Sequence, residues 1–163
     1  MDVSAKILTI EALQSTLLNV RKSGKKVVFT NGCFDILHVG HVRYLTAAKS
    51  AGHILVVGLN SDASVKKIKG HKRPIVNQNQ RAEVLASLWC VDYVTIFEEA
   101  EPLRLIESLK PEVLVKGADW EADQIVGADV VKAHGGKVIR IAMAPDASTS
   151  AIIERIVKRY QRN

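Results

Sequence analysis

The sequence of residues 30–41 is TNGCFDILHVGH, and no other stretch of the chain is as informative. It follows KVVF at residues 26–29, which has the pattern of a buried strand, and it leads into a segment of helical pattern. Backbone N–H groups and the positive end of a helix dipole at such a junction favour a bound phosphate. His38 and His41 lie on the same side of one helical turn, and Gly40 between them lets the backbone approach a ligand closely. We therefore predict a nucleotide triphosphate site here.

Strand and helix patterns alternate along the whole chain. The hydrophobic pattern predicts strands at residues 26–30, 54–59, 93–97, 113–115 and 138–141. It predicts helices at residues 11–21, 42–51, 63–68, 80–88, 102–109, 128–133 and 148–159. Strands separated by helices imply right-handed crossovers. We therefore predict an α/β fold, with a Rossmann-like, doubly wound, mostly parallel five-stranded sheet and helices on both faces. We expect a single domain over residues 1–163, in which residues 1–24 form an N-terminal helical extension.

The composition is that of a globular protein with a substantial core, because 47% of the residues are hydrophobic. No window contains the roughly 18 uninterrupted apolar residues that a membrane span needs. The N-terminus lacks the basic start and apolar run of a signal peptide, and we therefore expect a cytoplasmic protein. The two cysteines, Cys33 and Cys90, form neither a disulfide framework nor a metal-binding spacing.

Positive charge is concentrated in one part of the chain. Between Asp62 and Glu83 there are six basic residues and no acidic one. They are Lys66, Lys67, Lys69, Lys72, Arg73 and Arg81. A stretch of one sign suits a polyanionic small molecule or a nucleic acid, although it could also be a solvated surface loop. Next to a phosphate motif, the first interpretation is favoured.

Several other residues are candidates for phosphate or base contacts. Lys116 follows a predicted strand and could neutralise phosphate, and Arg81 could reach it with its planar guanidinium. Ser148, Thr149 and Ser150 begin the last predicted helix, where they could cap the helix or cradle a phosphate. Trp120 could stack on a base or cover the core. Asp35 could align a histidine or hold a metal ion, and the sequence does not separate these roles.

These motifs together resemble the nucleotidyltransferase superfamily that carries the H-x-G-H signature. Residues 30–41 hold that signature, and KGADW at residues 116–120 resembles the lysine-bearing loop of the cytidylyltransferase-like members. The hydroxyl run at residues 148–150 resembles their final Ser/Thr signature, although Ala147 before it departs from the expected pattern. Over roughly residues 25–160 the chain looks most like the adenylyltransferase domain of the bacterial heptose-phosphate enzymes, through TNGCFDILH, NSDAS at 60–64 and VKG at 115–117.

The resemblance implies a reaction and a set of site residues. ATP and a heptose 1-phosphate would give ADP-heptose and pyrophosphate, with Mg²⁺ held mainly by the substrate phosphates rather than by a protein metal site. The residues implied to be catalytic are His38, His41 and Lys116. Those implied to bind the nucleotide are Thr30, Asn31, Gly32, Cys33, Phe34, Gly40, Arg81, Gly117, Asp119, Trp120, Ser148, Thr149 and Ser150. Those implied to bind the sugar phosphate are Asp35, Asp62, Lys66, Lys67 and Lys69.

The resemblance also suggests the biological setting. The product would be a precursor of the lipopolysaccharide inner core. Many relatives carry this domain behind a sugar kinase, so we expect a stand-alone enzyme that works with a separate sugar kinase and phosphatase. Residues 88–93 resemble a region used for dimer contacts in cytidylyltransferase relatives, and we therefore expect a homodimer.

Other functions compete with this interpretation. A cytidylyltransferase would use CTP and a phosphorylated alcohol such as glycerol 3-phosphate, and an adenylyltransferase acting on pantetheine phosphate is a further enzyme alternative. A nucleic-acid binder fits the basic loop, but aromatic residues are only 5% and no stacking cluster appears. A non-catalytic nucleotide sensor is disfavoured, because both histidines and Lys116 are present.

Overall fold

The computed structural model describes residues 2–118, 124–142 and 148–161. Its centre is a sheet whose five strands, β1 to β5, are Val27–Gly32, Ile54–Asn60, Tyr93–Phe97, Val113–Gly117 and Lys137–Ile141. The strands lie in the order β3-β2-β1-β4-β5, and every adjacent pair is parallel. The α/β fold with a parallel five-stranded sheet is therefore confirmed.

Helices connect the strands. The seven that the described residues form, α1 to α7, are Ile10–Lys22, Val39–Lys49, Asp62–Lys69, Gln78–Ala86, Leu103–Leu109, Ala128–Ala133 and Thr149–Tyr160. A 3₁₀ turn at Val3–Lys6 precedes them. None of the helices in the described segments has the length and apolar character needed to cross a membrane.

The sheet buries both of its faces, because successive side chains of a strand point to opposite sides. Val28 belongs to the core on the α2 and α4 face, where it packs in one cluster with Leu45 and Leu85. Its neighbour Phe29 belongs to the opposite core, together with Leu13 of α1. Segment 1–24, the expected helical extension, thus contributes α1 to the main core.

The order of the strands reverses at β1. The chain builds β2 and β3 on one side of β1, then crosses to the other side for β4 and β5. In open α/β sheets, ligands bind beyond the carboxyl ends of the strands at such a reversal. The fold therefore points to the crevice at the carboxyl ends of β1 and β4.

Six of the seven helices in the described residues begin one to three residues earlier or later than the hydrophobic pattern predicts. Helix α2 begins at Val39 instead of residue 42, and α4 begins at Gln78 instead of residue 80. The oxygen of the Asn77 side chain accepts a hydrogen bond from the N–H of Gln80 and so sets the start of α4. Ser148 caps α7 in the same way and precedes its first residue. Periodicity reports the buried face of a helix, whereas a capping side chain decides where the helix begins.

Candidate active site

A cavity of about 580 Å³ opens at the carboxyl ends of the central strands. Most of the predicted site residues line it: Asn31, Gly32, Cys33, Phe34, Asp35, His38, His41, Lys69, Lys116, Gly117, Ser148, Thr149 and Ser150. These residues come from the ends of β1 and β4 and from the starts of α2 and α7, with Lys69 at the end of α3. The fold thus brings together positions that are more than 100 residues apart in the chain.

The two histidines of the H-x-G-H motif form a stacked pair. His38 is the N-cap residue of α2, in extended conformation, and its carbonyl accepts hydrogen bonds from the N–H groups of His41 and Val42. The rings of His38 and His41 lie 3.8 Å apart between centroids, with an interplanar angle of 25°. Both Nδ1 atoms are buried and have no hydrogen-bond partner among the described residues. A ligand in the cavity therefore meets the Nε2 atoms.

Both imidazoles are held in the neutral form. Burial lowers the pKa of His38 below its usual value. Burial, together with the charge that His38 would carry, lowers the pKa of His41 to about 4. A neutral imidazole carries one N–H, so the pair can offer two donors to a phosphate without the repulsion that two adjacent cations would suffer.

The loop after β1 packs against this histidine pair. Phe34 adopts a left-handed backbone conformation with φ 42°, and its ring meets the ring of His41 edge-on, with centroids 5.3 Å apart. A Cβ at Gly32 would lie 3.0 Å from the Phe34 ring, so that any larger residue would push the ring aside. A side chain at position 32 would thus require the Phe34 ring to move by a few tenths of an ångström.

Lys116 lies near the end of β4 and reaches across to β1. Its Nζ donates a hydrogen bond to Oδ1 of Asn31. Behind this contact, the Tyr44 hydroxyl lies 2.8 Å from Oγ1 of Thr30 and donates to the carbonyl of Val115 at 3.2 Å. Thr30 is fully buried and is not part of the cavity wall, so its predicted nucleotide contact is replaced by a supporting role through Tyr44.

The hydroxyl run at the start of α7 caps the helix and also lines the cavity. The Ser148 hydroxyl accepts a hydrogen bond from the N–H of Ala151 and caps the helix. Thr149 donates its hydroxyl to the carbonyl of Ile36, 3.1 Å away, which ties α7 to the loop that carries the histidines. Ser148, Thr149 and Ser150 all line the cavity, so a helix start faces the ligand space.

Arg81 does not occupy the position that we predicted. Its side chain is 1% exposed and belongs to the core rather than to the cavity wall. The guanidinium donates to the carbonyls of Val76, Cys33 and Asn60, and to the Asp62 carboxylate. With its donors engaged in this way, Arg81 is a structural cross-link that joins the end of β2 and the loops after β1 and before α4.

The predicted sugar-phosphate residues are also rearranged. Asp62 pairs with Arg81 and does not line the cavity. Lys66 and Lys67 are exposed on α3 outside the cavity wall, whereas Lys69 is part of that wall.

Gly40, predicted to contact the nucleotide, is buried in the first turn of α2 and does not line the cavity. Asp119 and Trp120 lie outside the described residues.

Asp35 holds the basic loop in place instead of aligning a histidine. Its buried carboxylate accepts hydrogen bonds from Nε of Arg73 at 2.5 Å and from the N–H groups of Ile75 and Val76. In the described part of the chain, no group of three or more His, Cys, Asp or Glu residues could hold a metal ion. Since the carboxylate of Asp35 is already engaged, a divalent cation here would depend on the ligand's own phosphates.

Sequence reasoning missed some cavity residues. Arg73, Tyr44, Asn60 and Gln124 line the cavity but were not predicted as site residues. A signal existed for Arg73, which belongs to the basic stretch, and for Tyr44, which lies one helical turn after His41. Asn60 belongs to NSDAS at residues 60–64, one of the stretches that carry the family resemblance, whereas no comparable signal marked Gln124.

Comparison with known proteins places the chain among related sequences. Residues 29–155 match the family model described as cytidylyltransferase-like. The curated protein named "Bifunctional protein HldE" from Geobacter metallireducens is 53% identical over 159 residues, which are 98% of this chain and 32% of that protein. The protein of the same name from Helicobacter acinonychis is 53% identical over 156 residues, which are 95% of this chain and 32% of that protein. The chain thus spans about a third of the length of these curated relatives.

Solved structures show the same architecture. The lipopolysaccharide core biosynthesis protein from Thermoplasma volcanium superposes with a TM-score of 0.64 at 29% identity, covering 74% of this chain and 99% of that one. Pantoate-beta-alanine ligase from Francisella tularensis superposes with a TM-score of 0.63 over 96% of this chain and 79% of that one. At 18% identity, the second likeness concerns the fold alone.

Proposed function

This chain belongs to the cytidylyltransferase-like family of nucleotidyltransferases, and from that premise we propose that it transfers AMP from ATP to a heptose 1-phosphate. The products are ADP-heptose, a precursor for the lipopolysaccharide inner core, and pyrophosphate. About half of all positions are identical to those of the HldE proteins along almost the whole chain, which supports this choice of substrate. The likeness to a lipopolysaccharide core biosynthesis protein supports it as well.

The observation that carries the proposal is the convergence of three residues on one cavity. His38, His41 and Lys116 line the same space at the point where the strand order reverses. Two uncharged ring N–H donors and one ammonium group form a set that suits a triphosphate, whose charge shifts during reaction toward the departing oxygens.

The reaction needs little covalent participation from the protein. A phosphate oxygen of the acceptor forms a bond to the α-phosphorus of ATP, while the bond from that phosphorus to the oxygen bridging the α- and β-phosphates breaks. The electron pair of that bond leaves with pyrophosphate. Because the acceptor phosphate is already ionised near pH 7, no general base is required, and catalysis consists of positioning and charge stabilisation.

Each part of the cavity has a role in this scheme. His38 and His41 donate to the phosphates on which negative charge accumulates, and Lys116 neutralises charge near the α-phosphate. The start of α7 holds further phosphate oxygens through the hydroxyl of Ser148 and backbone N–H donors. Magnesium arrives as part of the substrate MgATP, bound chiefly by phosphate oxygens and water.

The test is pyrophosphate release from each of the four nucleoside triphosphates, combined with a panel of acceptors. The panel contains heptose 1-phosphate, hexose 1-phosphates and glycerol 3-phosphate. We expect turnover with ATP and heptose 1-phosphate to exceed every other combination. Preferential turnover of CTP with glycerol 3-phosphate would contradict the proposal and support a cytidylyltransferase instead.

Assembly and location complete the proposal. We infer a homodimer through residues 88–93, where the side chain of Trp89 is 73% exposed next to the buried Cys90 and Val91. A large exposed indole of this kind is common in protein interfaces. Substitution W89K should convert a dimer into a monomer in light scattering, whereas a wild-type monomer would contradict this inference.

ATP and sugar phosphates are cytoplasmic metabolites, and we place the enzyme there.

A further inference from the structure

The loop between α3 and α4, residues 70–77, brings one arginine into the cavity. Arg73 lines the cavity wall, and its side chain is only 17% exposed. Its Nε is paired with Oδ2 of Asp35. Its two terminal nitrogens have no hydrogen-bond partner in the segments that the structure describes. The guanidinium is therefore held by one edge while other N–H groups stay available to an anion.

Asp35 fixes both this side chain and the loop that carries it. The carboxylate is fully buried and accepts hydrogen bonds from the N–H groups of Ile75, at 2.8 and 2.9 Å, and of Val76, at 2.9 Å. Burial by itself would raise the pKa of Asp35, but the hydrogen bonds from Val76, Ile75 and Arg73 lower it. Asp35 is thus ionised, and both of its carboxylate oxygens accept hydrogen bonds from the loop.

The strand order separates two groups of cationic and hydrogen-bond-donating residues that line the cavity. Arg73 and Lys69 follow β2, on one side of β1, whereas Lys116 and the start of α7 lie on the β4 and β5 side. His38 and His41 follow β1 and lie between the two groups. An in-line displacement needs the attacking oxygen and the departing pyrophosphate on opposite sides of the α-phosphorus. The two groups therefore suit two different anions.

We propose that Arg73 binds the phosphate of the acceptor and that Asp35 is the positioning residue that aims Arg73 into the cavity. The inference rests on the proposed function for one point, that the acceptor carries a phosphate group. A planar guanidinium suits this task because it can grip two phosphate oxygens at once. Lys69, on the same side of the cavity, adds charge without such directionality.

The decisive experiment measures anion binding rather than turnover. The protein is first saturated with the non-reactive analogue α,β-methylene-ATP, and inorganic phosphate is then titrated in an isothermal calorimeter. In R73M we expect the phosphate Kd to rise about tenfold or more, as expected for the loss of hydrogen bonds to a charged group. The Kd of the analogue should stay within a factor of about two. K72M removes an exposed neighbouring charge outside the cavity wall and serves as the matched control, with both Kd values unchanged.

Other outcomes overturn the assignment. Phosphate binding that is unchanged in R73M, absent in the saturated wild type, or lost together with analogue binding would each contradict it. Failure of the proposed function has a different signature. A wild-type protein that binds both ligands, yet releases no pyrophosphate from ATP and heptose 1-phosphate, would contradict that function and leave Arg73 as an anion ligand.

The role of Asp35 is tested by a double-mutant cycle. If Asp35 acts on the acceptor through Arg73, D35N weakens phosphate binding in the wild-type background and has no further effect in R73M. Independent losses that add in the double variant would contradict this role.

R73K provides a test that does not depend on how D35N folds. A lysine keeps the charge but has no Nε–H to pair with Asp35, so R73K should recover only part of the affinity, and full recovery would overturn the aiming role.

Discussion

The imidazole of His41 stacks on that of His38, with 3.8 Å between the ring centroids. Burial of His41, together with the repulsion that two imidazolium rings would suffer at this spacing, lowers the pKa of His41 to about 4. The free enzyme therefore presents two neutral donors at the start of a helix. We expect such a site to bind a phosphate through these N–H groups, while Lys116 supplies the positive charge.

The depressed pKa predicts how stability depends on pH. The unfolded chain has a histidine pKa of 6.5 at this position, whereas the folded protein has one of about 4. Between these values the unfolded state binds more protons, so the free energy of unfolding falls as the pH decreases from 6.5 toward 4. Urea unfolding of wild type and H41A at pH 7.5, 6.0 and 5.0 measures this slope. H41A should lose less stability on acidification, and an equal slope in both proteins would contradict the neutral pair.

Removal of one ring donor should reduce turnover strongly. Loss of a preorganised donor to a developing charge costs about 10²–10³ in kcat. We expect H41A to show this loss in the pyrophosphate assay while its far-UV circular dichroism stays native. H134A is the matched control, because His134 lies at the exposed end of α6 outside the cavity wall, and it should retain wild-type turnover. Near-normal turnover by folded H41A would remove His41 from the catalytic residues.

Replacement of Arg81 should reduce the stability of the protein more than it reduces substrate binding. R81M would leave the carbonyls of Val76, Cys33 and Asn60 without their donor, and it would remove the ion-pair partner of Asp62. Breaking such a buried network costs about 3–5 kcal/mol in the free energy of unfolding. Chemical unfolding measures it, with R104M as the control. Arg104 is 83% exposed and its contact with Glu99 is 3.8 Å long, so this control should change stability by less than about 0.5 kcal/mol. An R81M protein as stable as wild type would contradict the structural role.

The fold was largely predictable because buried strands and helices leave local patterns. Residues 54–59 form a continuous apolar run, and β2 occupies that run and Asn60. Helix α6 matches its predicted bounds, since Gly135 and Gly136 stop the pattern after it. The start of α2 was missed because His38 takes the N-cap position without a capping side-chain hydrogen bond, so that no Ser, Thr, Asp or Asn marks it.

The site was predictable only in part, because side-chain partners depend on contacts between distant segments. His38 and His41 are close in sequence, and their rings meet because His38 is the N-cap residue of the helix that carries His41. The direction of Arg81 depends on carbonyls at Cys33 and Asn60, which the sheet brings to it from 48 and 21 residues away. Local spacing carries no information about such acceptors. For the same reason, it does not predict the hydrogen bonds that Asp35 accepts from the basic loop.

The most direct measurement is a histidine-detected ¹H–¹⁵N NMR titration with α,β-methylene-ATP and Mg²⁺. The chain has five histidines, and His53, His71 and His134 lie outside the cavity wall, so they are internal controls. We expect the Nε2 resonances of His38 and His41 to shift together on binding, while those of the three controls stay in place. Saturation by the nucleotide with both of these resonances unmoved would contradict a triphosphate site built on the stacked pair.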